Sequence, residues 1–200
     1  MLLHEKMHIF WFNMIDQIQL QLLQERIAVF GDHDAYKKLF LVFYKDLKRF
    51  SYSFVQSNEV AEEIVSDAFV NLWKNRMRLL EIENLKVYLY VAVKNLSIRH
   101  SNRNNRDHLI SLDDLAVDIP STNGYTNPEE LCISAELAAA IHTAIQNLPP
   151  RCKIIYKLIR EDGLRYKEVA DILHLSVKTI DAQMAIATRK ICQSINFVLK

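Results

Sequence analysis

Apolar side chains recur every three or four residues along most of this chain, which is the spacing of one face of an α-helix. Glycine and proline number only 3 and 4, and sustained alternation of apolar and polar residues is rare. The sequence therefore predicts an all-α fold. The predicted helices cover residues 34–54, 59 to about 76, 85 to about 101 and 135–147, and a further helix runs from Pro149-Pro150 to Asp162-Gly163.

Residues 164–191 have the pattern of two short helices separated by a tight turn. Ser176 is placed to cap the second helix, because a serine hydroxyl accepts a free backbone N–H there. His174 stands at the turn position where glycine is usual, and histidine tolerates a left-handed backbone better than most residues. These features predict a helix-turn-helix, whose second helix lies in the DNA major groove. The apolar face of that helix comprises Ile180, Met184, Ala187 and Ile191.

The formal charge of +1 conceals a strong asymmetry along the chain. Residues 31–106 hold 13 Lys/Arg against 9 Asp/Glu, and residues 148–200 hold 10 against 5. Residues 107–147 hold none against 7. Two basic segments around an acidic one are typical of a protein that binds a polyanion.

The acidic stretch contains a predicted linker, residues 107–134, rich in turn-forming residues and lacking Lys and Arg. Its composition predicts an extended, mobile connector. The sequence thus indicates two small helical domains joined by an acidic linker, the C-terminal one a helix-turn-helix over residues 135–200. We also expect that the linker masks the basic DNA-facing surfaces in the free protein, so that removing it would raise DNA affinity.

Residues 1–30 carry a short apolar run, Ile9-Phe10-Trp11-Phe12. This run is shorter than the core of a signal peptide and much shorter than a membrane span of about 20 residues. We expect an N-terminal extension of unclear role, which is either a helix packed on the body or the product of an early start, with Met14 as the alternative.

Candidate chemistry is sparse. Cys132, Cys152 and Cys192 are odd in number and widely spaced, so neither a zinc site nor a disulfide framework is predicted, and a reduced cytoplasmic setting fits. We find no catalytic set and no Gly-rich phosphate loop, and expect neither enzymatic activity nor a cofactor or metal. Direct membrane insertion is not expected either.

Three segments in the expected order resemble the extracytoplasmic-function (ECF) subfamily of bacterial RNA polymerase sigma factors. Residues 60–73 (VAEEIVSDAFVNLW) resemble the helix that binds the polymerase core, and residues 88–100 (YLYVAVKNLSIRH) the helix that opens the minus ten element. Residues 148–191 resemble the domain that binds the minus thirty-five element. The resemblance implies a sigma factor with sigma region 2 at 31–106 and sigma region 4 at 135–200.

The resemblance also implies roles for individual residues. The residues that it implies for binding the polymerase core are Glu63, Ser66, Asp67 and Phe69. The residues that it implies for binding minus ten DNA are Tyr88, Lys94, Asn95, Arg99 and Arg103. The loop at 77–84 is expected to help form a pocket beside them. The residues that it implies for binding minus thirty-five DNA are Lys178, Thr179, Ala182, Gln183, Arg189 and Lys190. The implied partners are RNA polymerase core, double-stranded and locally melted promoter DNA, and an anti-sigma factor.

Departures from the family pattern affect the DNA-binding positions. Arg99 stands where Asp or Asn is usual, and Ile186 where many members have Arg, so the recognition helix is less basic than is typical. Other hypotheses remain at this point. The main alternative is a response-regulator-like helix-turn-helix regulator, which would place an α/β receiver before the DNA-binding domain. A helical adaptor is a further alternative, which the two basic segments disfavour.

Overall fold

The computed structural model describes residues 18–104, 111–115, 117 and 131–198, and within these ranges every regular element is a helix. The all-α prediction is confirmed. The α-helices are α1 (residues 18–30), α2 (His33–Val55), α3 (Asn58–Lys74), α4 (Leu85–Asn104), α5 (Leu131–Gln146), α6 (Pro150–Arg160), α7 (Tyr166–Leu173) and α8 (Val177–Val198), with 3₁₀ helices at Arg76–Glu81 and Leu112–Asp114.

The N-terminal body is built around α2, which packs against both α3 and α4. The inward face of α2 is rich in aromatic residues, with Phe43, Phe50 and Phe54 all buried. Asp32 caps α2, since its Oδ1 accepts the backbone N–H groups of Asp34 and Ala35 at 2.9 and 3.0 Å. This cap fixes where the central helix begins.

Helix α1 belongs to this body, although the sequence suggested a domain boundary at residue 31. Ile27 and Ala28 lie in the core at 0% and 1% exposure. Gln24 is buried and its Nε2 donates to the carbonyls of Leu79 and, at 2.8 Å, Ile82. The expectation of a packed helix is therefore confirmed for residues 18–30, while residues 1–17, Met14 among them, lie outside the described residues.

The C-terminal body packs α5, α6 and α7 against α8. Helix α5 begins at Leu131, so the end of the predicted linker is helical. Leu115 and Val117 are buried and the adjoining 3₁₀ helix packs on α6, so this part of the linker is anchored rather than mobile. The other linker residues, and with them the predicted masking by the linker, lie outside the described residues.

Helix α4 contacts α2 and α3 of its own body and also α7 of the C-terminal body. This packing buries more than one side of α4. Tyr88 is 38% exposed, whereas Tyr90 is fully buried. Periodicity assumes one apolar face, and a helix with neighbours on several sides does not have one.

Among the described residues, none of the helices combines the length and hydrophobicity required to cross a lipid bilayer.

Candidate functional site

The outer face of α3 is acidic and exposed, as predicted. Glu63, Ser66 and Asp67 all lie on it. Neighbouring Glu62 is engaged by Lys48, whose Nζ lies 2.6 Å from its Oε1. Glu63 and Asp67 are therefore the principal carboxylates that this face offers to a basic partner.

Phe69 was predicted on the same surface, and the structure corrects this. Its side chain is 1% exposed and lies edge-on to Tyr36 and Phe40, at ring-centroid distances of 6.1 and 4.9 Å. The helical phase explains the burial, since Phe69 follows Val65 by one turn on the inward face. Phe69 supports the acidic face from beneath and cannot touch a partner there.

Sequence reasoning missed Val70, which is 45% exposed. It lies three residues after Asp67 and four after Ser66, so it occupies the same helix face. An apolar side chain among exposed acids is the composition expected at the centre of a protein–protein contact. The helical spacing alone could have identified it.

The loop expected at 77–84 is largely the 3₁₀ helix Arg76–Glu81. Its Leu79 is buried, and this anchors two apolar side chains that point outward: Met77 is 70% exposed and Leu80 58%. The guanidinium of Arg76 lies 5.1 Å from the ring centroid of Trp73, a cation–π contact that fixes the start of the segment. Exposed apolar side chains on a rigid turn are suited to contact an unstacked base.

Four of the five predicted minus ten residues share one exposed stripe of α4. Tyr88, Asn95, Arg99 and Arg103 are all exposed, and their spacing of seven, four and four spans only about 80° of the helix surface. Lys94 lies about 120° from Tyr88 around the same helix. The structure therefore brings four residues together and separates the fifth.

Lys94 is 4% exposed and buried against the C-terminal body. Its Nζ donates to the carbonyl of Ile172 in α7 at 2.6 Å. Burial lowers the pKa of the Lys94 ammonium. In this conformation the predicted contact of Lys94 with DNA is blocked, because its side chain has another partner.

The helix-turn-helix is present at the predicted positions. His174 adopts the left-handed backbone, with φ 55° and ψ 46°, and ends α7. Ser176 caps α8, since its Oγ accepts the backbone N–H of Thr179 at 3.0 Å. Both predictions about this turn are confirmed.

The six residues predicted to bind the minus thirty-five element differ in solvent exposure. Lys178, Ala182, Arg189 and Lys190 are exposed, while Thr179 and Gln183 are half-buried. The hydroxyl of Thr179 is 2.8 Å from that of Ser176. Ile186, at 37% exposure, and Val177, at 47%, add apolar surface that a thymine methyl group can contact.

Gln183 has a partner within the protein. Its Oε1 accepts a hydrogen bond from the thiol of Cys152 at 2.8 Å. Burial raises the pKa of that thiol, so it stays protonated and remains a donor at neutral pH. The contact orients the Gln183 amide and joins α6 to α8.

The described residues contain no group of three or more His, Cys, Asp or Glu side chains that could hold a metal ion.

Comparisons with known proteins agree with this division into two bodies. The model of sigma-70 region 2 matches residues 39–107, and that of sigma-70 region 4 matches residues 138–191. The chain is 23% identical over 164 residues to the ECF RNA polymerase sigma factor SigW of Bacillus subtilis, covering 77% of this chain and 85% of that protein. It is 24% identical over 176 residues to the ECF RNA polymerase sigma-E factor of Escherichia coli K12, covering 86% and 91%.

Two solved structures share the fold. One is CnrH in complex with the cytosolic domain of CnrY, with a TM-score of 0.51 and 17% identity over 90% of this chain and 97% of that one. The other is the sigma factor RpoE in complex with the anti-sigma factor NepR from Bartonella quintana, with a TM-score of 0.50 and 19% identity over 80% and 96%.

The response-regulator alternative is not favoured. It required an α/β receiver before the helix-turn-helix, whereas residues 18–104 are helical wherever they form a regular element and match a sigma region instead. Three features follow one another along the chain in the order of the matched regions. They are an exposed acidic helix, a stripe of Arg, Asn and Tyr on a second helix, and a capped helix-turn-helix. The chain belongs to the extracytoplasmic-function sigma factors, the initiation factors that bind RNA polymerase core and direct promoter-specific transcription.

Proposed function

We propose that three separate faces of this sigma factor carry three steps of initiation. The outer face of α3 docks on the polymerase core, the exposed stripe of α4 captures the minus ten strand, and the first turns of α8 contact the minus thirty-five element. The observation that supports this most directly is the exposure, on matched helices, of side chains suited to each partner. The protein acts in the cytoplasm by binding and performs no catalysis of its own.

Docking on the core uses Glu63 and Asp67, with Val70 on the same face one turn beyond Asp67. The carboxylates attract a basic surface and orient the encounter, while Val70 supplies apolar area that is lost to water on binding. The Ser66 hydroxyl donates to the Glu62 carbonyl at 2.8 Å, so toward a partner it serves as an acceptor only.

Strand capture uses the α4 stripe and the 3₁₀ helix beside it. A base can leave the stack only if the protein replaces part of the lost stacking, and unstacking costs a few kcal/mol. Tyr88 offers a ring face, and Met77 with Leu80 offers an apolar wall. Arg99 and Arg103 hold phosphates further along the helix, which would make binding strongly salt-dependent.

Upstream binding uses the N-terminal turns of α8. Lys178 and Ala182 face outward where a recognition helix approaches base edges, and Gln183 is pre-oriented by Cys152. Arg189 and Lys190, about three turns further along the helix, hold phosphates and set its orientation.

An anti-sigma factor is a further proposed partner. One solved neighbour is described as a complex with an anti-sigma factor, NepR. Such a protein would act by occupying the faces that polymerase and DNA need.

The test is in vitro transcription with purified core polymerase from the source organism, with and without this protein, on a library of genomic fragments. New, specific start sites are expected, and their upstream sequences would give the promoter motif. The sigma role would be refuted if no new start sites appeared and the protein also failed to co-elute with core on gel filtration.

Charge reversal on α3 assigns the docking face. Glu63→Lys with Asp67→Lys should abolish co-elution with core. The matched control reverses two exposed carboxylates away from α3, Glu25→Lys with Asp113→Lys, and should leave core binding intact. Equal losses in both double variants would show a general charge effect and would place docking elsewhere.

A further inference from the structure

We propose that helix α8 recognises thymine by its 5-methyl group, so that the upstream element selected by this chain contains thymines whose methyl groups are needed for binding. The inference rests on the proposed contact of α8 with the minus thirty-five element, and it names the base chemistry that this contact selects. The side chain that carries the recognition is Ile186, with Ala182 and Ala185 beside it on the exposed face of the helix.

The exposed face of α8 is apolar where a recognition helix approaches base edges. Ala182, Ala185 and Ile186 together cover about 100° of the helix surface. Val177, the first residue of the helix, is 47% exposed, and Ile186 is 37% exposed. None of these four side chains can form a hydrogen bond. The base feature in the major groove that suits them is therefore the methyl group of thymine.

The exposure of Ile186 follows from how α8 is packed. Ile180, Met184 and Ala187 lie on the opposite face and are all buried in the C-terminal body. The cap at Ser176 fixes where the helix begins. A rotation of α8 that buried Ile186 would expose the inward row to water, so the helix is held in the orientation that presents Ile186 to a ligand.

Two polar side chains beside this face are already hydrogen-bonded within the protein. The hydroxyl of Thr179 lies 2.8 Å from that of Ser176 at the cap. The Gln183 Oε1 accepts from the Cys152 thiol, so this oxygen is directed toward α6. Bidentate recognition of adenine requires both the oxygen and the nitrogen of an amide to face one base. Gln183 therefore has only its amide nitrogen to offer to DNA and does not select adenine in this way.

The exposed charged side chains in the first turns of α8 select other features of the bases. Lys178 is a donor and fits a phosphate or the acceptor atoms of a base, whereas Asp181 is an acceptor and fits the amino group of adenine or cytosine. Neither distinguishes thymine from uracil, which differs from it only by the methyl group. Methyl-dependent selection therefore depends on the apolar residues.

The test uses holoenzyme assembled from core polymerase and the full-length chain, with a pool of duplexes randomised in the upstream element. Each thymine of the selected sequence is then replaced singly by deoxyuridine, which keeps base pairing and removes only the methyl group. We expect at least one replacement to weaken binding about threefold to fivefold, because one buried methyl group is lost. A selected element without thymine, or full affinity for every deoxyuridine duplex, would overturn the proposal.

Two variants of α8 identify the side chain that contacts the methyl group. Ile186→Ala should weaken binding to the thymine duplex by a similar factor, and deoxyuridine at the same position should then cause little further loss, because the contact is already absent. Arg189→Ala is the matched control. Its loss of a phosphate contact should weaken binding to both duplexes equally and leave the preference for thymine unchanged. An undiminished preference for thymine in Ile186→Ala would overturn the role of Ile186.

Ile186→Arg tests the same position in the opposite direction. A guanidinium donates to O6 and N7 of guanine, so selection with this variant should return guanine at the position where the wild-type chain selects the methyl-dependent thymine. Continued selection of thymine by Ile186→Arg would show that another side chain contacts this base.

The outcomes separate this inference from the proposed function. Specific initiation with unchanged binding to the deoxyuridine duplexes would refute the recognition of thymine methyl groups and leave the role of α8 in upstream binding intact. A methyl-dependent upstream sequence bound by a holoenzyme that starts no transcripts would support the inference and refute the proposed function. Holoenzyme without any sequence preference in the upstream element would refute both.

Discussion

The buried ion pair between Lys157 and Asp162 gives the sharpest prediction about stability. Both side chains are fully buried, with 2.7 Å between Nζ and Oδ2. Lys157→Met removes the cation while keeping a flexible chain of similar length. The carboxylate of Asp162 then keeps the Tyr90 hydroxyl but loses its counter-charge.

The expected cost follows from burial. Removing one partner of a buried pair leaves an uncompensated charge in the interior, which costs about 3–5 kcal/mol. With a denaturant slope of about 2 kcal/mol per molar urea, the midpoint should fall by roughly 1.5–2.5 M. Asp162→Asn added to Lys157→Met removes the orphaned charge, so much of the loss should be recovered.

The assay is urea unfolding followed by circular dichroism at 222 nm, which detects every helix of this all-α chain. Lys48→Met is the matched control, because Lys48 makes a pair of similar length, 2.6 Å, with exposed Glu62. That variant should shift the midpoint little, because solvent screens exposed pairs. Similar shifts for the two Lys→Met variants, or a double variant no more stable than Lys157→Met alone, would refute the argument from burial.

Three further predictions concern single positions. His174→Gly should stabilise the chain by about 0.5–1 kcal/mol in urea unfolding, because glycine adopts φ 55° without strain, and a loss of stability would contradict this. Asp32→Ala should lower the urea midpoint at neutral pH, because hydrogen bonds from the Ala35 N–H and from Arg26 stabilise the Asp32 carboxylate and lower its pKa in the folded state. The stability that this carboxylate contributes is fully present above its unfolded-state pKa near 3.8, and it disappears as pH falls through the lower folded-state pKa. An equal deficit well below that pH would argue against the cap. Val70→Asp should weaken core binding measured by titration without changing the melting curve, and unchanged affinity would remove Val70 from the interface.

The sequence was sufficient to predict the exposed and buried faces of helices that pack within their own body. In α3 the apolar spacing placed Glu63 and Asp67 outside, and in α8 the cap at Ser176 and the inward row from Ile180 are as expected. The same rule, applied strictly, would have assigned Phe69 to the core and Val70 to the surface. Those two errors came from the choice of residues and not from any missing information.

Helix α4 could not be predicted in this way. Its burial of Tyr90 and Lys94 depends on Asp162, in the turn before α7, and on the Ile172 carbonyl in α7, both more than 70 residues away along the chain. A lysine that donates to a distant backbone carbonyl has no signature in hydropathy or charge pattern. The two-sided packing also explains why Tyr88 is exposed, although it has an apolar spacing.

The contact that Gln24 makes with Leu79 and Ile82 has a consequence for how promoter preference diverges. The family match begins at residue 39, so the side chain that holds the segment bearing Met77 and Leu80 lies outside the matched region. A substitution in α1 therefore changes the position of the 3₁₀ helix that carries Met77 and Leu80, while every residue of the matched region stays the same. Two sigma factors identical across region 2 would then differ in how they position this segment, on which the proposed contact with an unstacked base depends.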